Sequence, residues 1–229
     1  MEYAGLDTSL LKRGMHDLSG SAEESRDAHI VACAAAHFLK DGLGAVRMTA
    51  IADASGFGVA TLYRRFSTKT NLAIAAATLL WQRFNDRIMD IVESDRFLAM
   101  SGADRLECLL REYAAHYAAN REFVRFLDDF DHLMLAEHVG LEALADYGRE
   151  VDSFYLIFVD AYQLGVSDGT VRQIDDFRTF YRTVAHALTG LAEKISRGDV
   201  IPSDRCEDDP AELVYVVQWA VLAYRRSPG

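Results

Sequence analysis

The sequence contains few of the residues that cross-link a chain or interrupt its helices. Only three cysteines and three prolines occur among 229 residues. The cysteines are widely spaced and form no CxxC pair, which is typical of a reduced, cytoplasmic protein with incidental thiols. The prolines stand at positions 202, 210 and 228, so long helices are permitted between residues 26 and 198.

Signatures of catalysis and of membrane insertion are also missing. There is no GxSxG, GxxxxGKS/T or HExxH motif, and no glycine-rich turn between a strand and a helix. No apolar run reaches the length of a transmembrane helix, and the amino terminus lacks the apolar centre of a signal peptide. We therefore expect a protein that is not an enzyme, has no cofactor and does not contact a membrane.

The charge of the chain is unevenly distributed. The formal net charge is −11, which argues against non-specific binding to nucleic acid. Residues 26–73 nevertheless carry six basic and three acidic side chains, so they form a positive segment in an acidic chain. A protein that reads DNA needs its positive charge concentrated in this way.

Within this positive segment, residues 51–66 have the pattern of two short helices joined by a tight turn. Gly56 can adopt the positive φ that such a corner requires. Leu62 and Phe66 are four residues apart and therefore face the same side of the second helix. The residues left for its outer side are Val59, Ala60, Thr61, Tyr63 and Arg64. Small side chains with one hydroxyl, one phenol and one guanidinium suit the major groove of DNA.

The segment resembles the tetracycline-repressor (TetR) family of one-component transcriptional regulators. Gly56–Phe66 is similar to the turn and recognition helix of that family, and Ser67–Leu72 looks like the start of its fourth helix. Upstream, Ala28–Gly42 is similar to its first helix. The resemblance covers residues 26–75, and beyond them the chain resembles the family only in its length and all-helical pattern.

The resemblance implies an all-α protein of about nine helices. We expect a flexible tail at 1–24, a three-helix helix-turn-helix DNA-binding domain at 25–69, and a helical effector-binding and dimerisation domain at 70–229. The implied function is that of a homodimeric repressor. It would bind a pseudo-palindromic operator in double-stranded DNA and respond to a small-molecule effector.

The residues expected to contact DNA lie in and around the second short helix. They are Arg47, Thr49, Gly58, Val59, Ala60, Thr61, Tyr63, Arg64 and Lys69. The resemblance implies phosphate contacts for several of them, and Lys69 would stand in the first turn of a helix, where free N–H groups favour an anion. The methyl groups of residues 59–61 suit contact with thymine methyls.

Two residues of this set depart from the family pattern. Gly58 stands where the family often has Ser or Thr, and Val59 stands where Lys or Arg is common. The missing cation removes one contact to phosphate or guanine. It leaves open an alternative function, a helical dimer that binds small molecules or proteins and has no operator of its own.

The middle of the chain is rich in aromatic residues and histidine, which is typical of cavities that bind small molecules. The candidates for the wall of a ligand site are His116, Tyr117, Phe126, Phe130 and Tyr155. The alternative is that these residues simply form the hydrophobic core, as most aromatic residues of a helical body do.

Two apolar stripes at helical spacing follow, in residues 175–197 and 211–225. Two such helices form a hairpin, and two copies of the hairpin would make an intermolecular four-helix bundle. The predicted dimer interface consists of Phe177, Tyr181, Val184, Leu188, Leu191, Leu213, Val217, Ala220 and Tyr224.

A dense group of acidic and histidine residues lies between these regions. Its members are Asp128, Asp129, Asp131, His132, Glu137 and His138. The two histidines are six residues apart and form no HxxxH pair, so a solvated acidic face is favoured over a metal site.

Capping residues predict where several helices begin and end. Gly42 is expected to end the first helix in a left-handed conformation. Thr49 and Thr68 are expected to cap the second and fourth helices through their hydroxyl groups. Gly140 is expected to separate a shorter helix from a long one over residues 141–164.

Overall fold

The structure, a computed structural model, describes residues 22–198 and 209–226. Those residues form ten α-helices, in the order α1 (Ala22–Asp41), α2 (Met48–Ser55), α3 (Val59–Phe66), α4 (Lys69–Val92), α5 (Asp95–Leu98), α6 (Gly102–Ala119), α7 (Arg121–Ala136), α8 (Ala145–Ser167), α9 (Phe177–Arg197) and α10 (Asp209–Tyr224). The predicted all-helical class is confirmed, and the single-turn helix α5 accounts for the additional element. None of the described helices is both long and apolar enough to cross a membrane.

Most of the tail predicted at 1–24 lies outside the described residues. Of that range the structure describes only 22–24, which already belong to the first turn of α1. This turn contains Glu23 and Glu24, and the last turn of α1 contains Lys40. Acidic residues at the start and a basic residue at the end of a helix stabilise it through its dipole.

Helices α1, α2 and α3 pack around a shared apolar centre. Ile30 and Phe38 of α1, Ile51 of α2 and Leu62 of α3 are all fully buried there. Helix α1 ends at Gly42, whose φ of 83° is the left-handed conformation that the sequence predicts. The N–H group of Gly42 donates to the carbonyl of Phe38 at 3.1 Å, which closes the last turn.

The two predicted threonine caps have different outcomes. Thr68 caps α4 as predicted, because its hydroxyl accepts the N–H of Asn71 at 3.0 Å. The prediction for Thr49 is wrong: α2 begins at Met48, with Arg47 at the cap position and no side-chain cap. Burial of the apolar side chain of Met48 anchors the first turn instead. Such burial stabilises by about 2 kcal/mol, whereas a hydroxyl cap contributes about 1 kcal/mol.

The body of the molecule is built on a close crossing of α6 and α8. A Cβ atom added to Gly102 would lie 2.0 Å from the backbone nitrogen of Gly165, so the two helices meet backbone to backbone. The same contact caps α6. The N–H of Gly102 donates to the Asp168 carboxylate at 2.7 Å, and the N–H of Ala103 donates to the Thr170 hydroxyl at 3.0 Å. These bonds satisfy amides that the first turn of a helix leaves free.

Helices α9 and α10 complete the body by packing on α7 and α6 respectively, and on each other. At the end of α10 the hydroxyl of Tyr224 donates to the carbonyl of Ala103 at 3.2 Å. The guanidinium of Arg225 contacts Asp104 at 2.8 Å and Glu107 at 2.9 Å. The carboxyl end of the described chain is thereby fastened to the start of α6.

The segment before α8 differs from the prediction. A helix was expected over residues 141–164, whereas α8 runs from Ala145 to Ser167 and residues 140–144 form consecutive turns. Leu141 is 87% exposed. Because its side chain buries nothing, no tertiary packing stabilises a helix over these residues, and tertiary packing is what stabilises most helices in proteins.

Candidate nucleic-acid interface and ligand-binding core

The turn between α2 and α3 is shaped by Gly56, which has φ 72° and ψ 15°. The N–H of Phe57 donates back to the carbonyl of Ala52 at 3.1 Å, which closes the end of α2. The half-buried ring of Phe57 meets the His29 ring of α1 edge to face, with centroids 6.4 Å apart. The turn therefore orients α3 against both preceding helices.

Helix α3 presents one side to the core and the other to solvent. Leu62 is fully buried and Phe66 is half-buried. The exposed residues at its start and on its outer side are Gly58, Ala60, Tyr63 and Arg64. Thr61 is half-buried, and Val59 departs from the prediction because its side chain packs partly against the core.

Two neighbouring arginines of α3 have different surroundings. Arg65 contacts Asp27 at 2.9 Å and Glu23 at 3.2 Å, and both acidic residues belong to α1. These ion pairs hold α3 against α1. Arg64 is exposed and is therefore accessible to an external anion.

A three-residue turn places the start of α4 directly after α3. Its central residue, Ser67, has φ 62° and ψ −47°, and the N–H of Thr68 donates to the carbonyl of Phe66 at 2.7 Å. Lys69 is the first residue of α4, and its Nζ donates to the carbonyl of Gly44 between α1 and α2 at 3.3 Å. Partial burial lowers the pKa of Lys69 from its ordinary value.

Four of the residues predicted to contact DNA lie at the starts of three helices or directly before them. Arg47 and Thr49 are exposed at the start of α2, Gly58 precedes α3, and Lys69 begins α4. The N-terminus of a helix carries unpaired N–H groups and the positive end of its dipole, both of which favour phosphate.

A cluster of aromatic rings from α4, α6, α7 and α8 occupies the centre of the body. The ring of Phe84 lies 4.4 Å from His116 and 5.0 Å from Phe154. The ring of Phe123 lies 5.1 Å from His116 and 5.9 Å from Trp81. We call these five residues the aromatic cage.

Two of the predicted ligand-wall residues belong to the cage or adjoin it. His116 is half-buried within it, and Tyr117 is buried beside it. The hydroxyl of Tyr117 lies 2.9 Å from that of Tyr113 and 3.2 Å from that of Thr189, so its polar atom is already paired.

The other three predicted wall residues lie elsewhere. Phe126 stacks on Phe38 of α1 with centroids 6.1 Å apart, and Phe130 packs next to Phe126. The ring of Tyr155 lies 4.9 Å from that of Tyr181 on α9. Phe126 therefore connects the body to the helix-turn-helix, a position that its sequence context does not reveal.

Sequence reasoning missed Trp81 and Phe123 as residues of a candidate site. The available signal was a tryptophan within the apolar stripe of the fourth helix, since a buried indole usually has a hydrogen-bond partner.

The rings of the cage are in mutual contact. An open groove of about 330 Å³ lies instead where α1, α7 and α9 meet, lined in part by Lys40, Arg125 and Asp129.

His116 is uncharged in the folded protein at neutral pH. Burial, assisted by the nearby charge of Arg87, lowers its pKa from 6.5 to about 4. The unfolded chain therefore binds more protons than the folded chain between about pH 4 and pH 6.5. The free energy of unfolding should rise with pH through that window, and stability should be lost on acidification.

This pH dependence can be tested with His116→Phe, which keeps a ring but cannot titrate. We expect its free energy of unfolding to fall less steeply than that of the wild type between about pH 6.5 and pH 4. Denaturant titrations across this range measure the slope, and His29→Phe, at an exposed position of α1, is the control. Equal slopes for His116→Phe and the wild type would contradict the assignment.

Comparisons with known proteins agree with the helix-turn-helix geometry. A family model described as bacterial regulatory proteins, tetR family, matches residues 30–76. The HTH-type transcriptional repressor KstR of Rhodococcus jostii (strain RHA1) is 35% identical over 74 residues, which make up 32% of this chain and 35% of KstR. Over residues 30–76 the chain is therefore similar to the tetR family of bacterial regulatory proteins. The match spans about a third of the length of KstR.

Solved structures extend the likeness from this segment to the whole fold. A TetR transcription regulator from Haloarcula marismortui covers 89% of this chain and 100% of its own, at 22% identity and a TM-score of 0.67. A transcriptional regulator from Saccharomonospora viridis, solved in complex with choline, covers 90% and 100%, at 16% identity and a TM-score of 0.69. At these identities the comparisons show a shared fold.

The apolar stripes of α9 and α10 face the chain's own core. The predicted interface residues buried there are Val184, Leu188, Leu213, Val217, Ala220 and Tyr224. The other three, Phe177, Tyr181 and Leu191, are half-buried and pack against the core. The ring of Phe177, for example, stacks on that of Tyr162 in α8, with centroids 4.0 Å apart. Six of the nine predicted interface residues are therefore already covered by the chain's own helices, and the contact between copies stays a prediction. Helices α6, α7 and α8 of the same chain need an apolar cover, and the stripe supplies it.

A different face of α10 is apolar and exposed. Tyr215, Trp219 and Leu222 are 57%, 67% and 73% exposed. Their spacing of four and three residues places them on one side of the helix. We call these three residues the α10 outer face.

The acidic and histidine cluster is divided among several protein partners. Asp128 pairs with Arg197 at 2.8 Å, and the Glu137 carboxylate accepts the Thr70 hydroxyl at 2.6 Å. Within the described ranges, no group of three or more His, Cys, Asp or Glu residues has an arrangement that could hold a metal ion.

Proposed function

We propose that the protein is a DNA-binding transcriptional repressor that acts as a homodimer on a pseudo-palindromic operator and responds to a small molecule. The observation that carries this proposal is the outer side of α3. Gly56 sets its entry and the ion pairs of Arg65 hold it, while Tyr63 and Arg64 remain exposed. A short, rigidly held helix with small and basic outer residues suits the major groove.

The homodimer follows from the way such a helix reads DNA. One recognition helix per subunit reads one half-site, and two-fold symmetry of the protein matches the symmetry of a palindrome. The α10 outer face is the surface that we assign to the second copy. Its residues are large, apolar and adjacent, and burying them stabilises a self-complementary contact.

The structure supports a path from the body to the DNA-binding helices through α7. Phe126 of α7 stacks on Phe38 of α1, and Glu137 at the end of α7 accepts the hydroxyl of the buried Thr70 in α4. Thr70 directly follows Lys69, a proposed phosphate contact. A ligand that displaces α7 would therefore move both α1 and the start of α4. By linkage, such a ligand must bind the DNA-free state more tightly than the DNA-bound state.

The proposal is tested by fluorescence anisotropy with the DNA upstream of the protein's own gene. We expect saturable binding that persists in excess random competitor DNA. The logarithm of the binding constant should fall linearly with the logarithm of the salt concentration. Binding no tighter than to competitor would favour the alternative of a helical dimer without an operator. Val59 is the residue that favours this alternative, because it stands where the family often has a cation that contacts DNA.

The assigned phosphate contacts give a specific prediction. Lys69→Ala should weaken binding about equally on all DNA sequences and reduce the salt slope by about one, because one phosphate contact is lost. Tyr63→Phe should weaken binding uniformly with little change in slope. Salt titrations of both variants measure these effects.

Arg83→Ala is the matched control for this experiment. Arg83 is an exposed cation of the same helix as Lys69, about 21 Å further along its axis. Its removal should leave the slope unchanged. If Lys69→Ala and Arg83→Ala behave alike, Lys69 does not contact the DNA backbone.

A further inference from the structure

Among the residues that the structure describes, two buried nitrogen atoms of the aromatic cage have no hydrogen-bond partner. They are Nε1 of Trp81 and Nε2 of His116. Trp81 is 5% exposed, so the indole cannot reach bulk water. Buried N–H groups are nearly always paired, because an unpaired group pays its full desolvation penalty. Two such atoms in one cluster therefore need an explanation.

Both atoms are hydrogen-bond donors. The side-chain amide of Asn120 lies 3.2 Å from Nδ1 of His116 and also donates to the carbonyl of His116 at 2.8 Å. Nδ1 thus accepts, and in the neutral ring the proton resides on Nε2. The indole Nε1 of Trp81 can only donate.

The neighbouring polar groups do not satisfy these donors. The indole of Trp81 lies near enough to Tyr147 to oppose the rise that burial causes in the pKa of that phenol, but no acceptor meets hydrogen-bond geometry. The hydroxyls of Tyr113 and Tyr117 are bonded to each other and to Thr189. Neither donor therefore has a partner in hydrogen-bond geometry among the described residues.

The two donors belong to one enclosure. The rings of Trp81 and His116 both pack on Phe84 and on Phe123, at centroid distances between 4.4 and 5.9 Å. We propose that the aromatic cage is the effector site, and that its ligand is a flat, uncharged ring compound whose carbonyl oxygen accepts hydrogen bonds from Trp81 and His116. This inference rests on the proposed function for the ligand's regulatory effect.

The donors exclude ligand classes that the aromatic rings alone would admit. Aromatic rings attract quaternary ammonium ions. In this cage, however, the positive ends of two N–H dipoles would face the cation and repel it. A pure hydrocarbon would fit the rings and leave both donors unpaired. A carbonyl compound satisfies the rings through stacking and the N–H groups through its oxygen.

Entry of this ligand requires the rings to part, because they are in contact in this structure. The break between α6 and α7 lies at Asn120, whose φ of −128° and ψ of 63° are not helical. Asn120 also holds His116. A movement of α7 about this break would open the Phe123 side of the cage. The same helix carries Phe126 and Glu137, which contact α1 and α4.

The test uses two matched pairs of probes, acetophenone with ethylbenzene and 1-tetralone with tetralin, together with choline. The chain has two tryptophans, so an amide–indole NMR spectrum gives two indole N–H signals, and Trp81→Phe identifies the one from Trp81. We expect at least one ketone to shift the Trp81 signal downfield and to leave that of Trp219 in place. Its hydrocarbon partner should bind about tenfold more weakly.

Variants separate the hydrogen bond from the shape of the site. His116→Phe keeps a ring but lacks the donor, and should weaken ketone binding about tenfold while hydrocarbon binding stays the same. His29→Phe, on α1, should leave both unchanged. Equal binding of ketone and hydrocarbon would overturn the proposal, and so would a Trp81 shift caused by choline. If no probe moves the signal in the folded protein, the donors meet buried water only, and the proposal fails.

Operator binding is measured separately on the same samples. A protein that binds operator while no ketone reaches the cage overturns this inference and leaves the proposed function intact. A protein that binds ketone at Trp81 but binds no DNA overturns the proposed function and leaves the site in place.

Discussion

Gly102→Ala is expected to lower the free energy of unfolding by about 3 kcal/mol, because the added methyl group overlaps backbone rather than flexible side chains. Its Cβ would lie 2.0 Å from the nitrogen of Gly165, 2.2 Å from its Cα and 2.8 Å from the carbonyl oxygen of Ala161. None of these atoms can rotate away. Helices α6 and α8 would have to separate, and the caps that Asp168 and Thr170 provide would be lost.

Gly148→Ala is the control for this variant. Gly148 lies within α8, and no atom of the described residues lies within 4 Å of the position that a Cβ would take there. Alanine there should stabilise the protein by about 0.5–1 kcal/mol, since glycine is unfavourable in helices. Urea titrations of both variants measure the difference. A Gly102→Ala protein as stable as the wild type would show that α6 and α8 do not cross by their backbones.

Trp219→Glu is expected to give a folded monomer whose affinity for operator falls about 100-fold or more. The side chain is 67% exposed in the single chain, so the charge does not disturb its core. In a dimer the same charge would be buried without a partner, which is strongly unfavourable. A monomer binds only one half-site. It therefore loses the increase in affinity that comes from linking two DNA-binding helices in one dimer. Sedimentation velocity and operator titration measure the two effects.

Val217→Glu, two residues away on the same helix, separates the two faces of α10. Val217 is buried in the chain's own core, so a charge there should unfold the protein rather than dissociate it. Circular dichroism distinguishes these outcomes. A Trp219→Glu protein that remains dimeric would show that the α10 outer face is not the contact between copies.

The helix-turn-helix was the most predictable part of the molecule, because its signals are local. Gly56 and Gly42 have the positive φ that their positions in the sequence require. Thr68 caps α4, where a hydroxyl stands immediately before an apolar helix. Each of these features depends on a few neighbouring residues, so spacing and residue type suffice to predict them.

The direction of the stripes in α9 and α10 could not be predicted, because periodicity says only that a helix has one buried side. Leu188 and Tyr224 were correctly placed on such a side, yet the burial comes from the same chain. The sequence analysis did not identify the α10 outer face. Tyr215 and Trp219 are apolar residues of an apolar helix, so nothing in the sequence marks their side of it as exposed. The other helices of the same chain cover some apolar sides of a helix and leave others exposed. Only an exposed apolar side can contact a partner, and the folded structure is needed to identify it.

The candidate ligand site was predictable only in part. His116 and Tyr117 were named from an enrichment in aromatic residues, and they do adjoin the cage. Trp81 comes from α4, far away in sequence, and its unpaired nitrogen is visible only once α4, α6 and α7 are packed together. Hydrogen-bond satisfaction is a property of the folded chain, so no sequence pattern reports it.

Selection of bound sequences from a pool of random double-stranded DNA shows directly whether the protein reads a palindromic operator. We expect enrichment of a pseudo-palindrome whose half-sites are separated by one helical turn or a multiple of it, because two copies of α3 would read successive major grooves. Lys69→Ala should enrich the same motif with lower yield, since phosphate contacts carry no sequence information. If a folded, dimeric wild-type protein enriches no motif, it is not a repressor that recognises a specific operator.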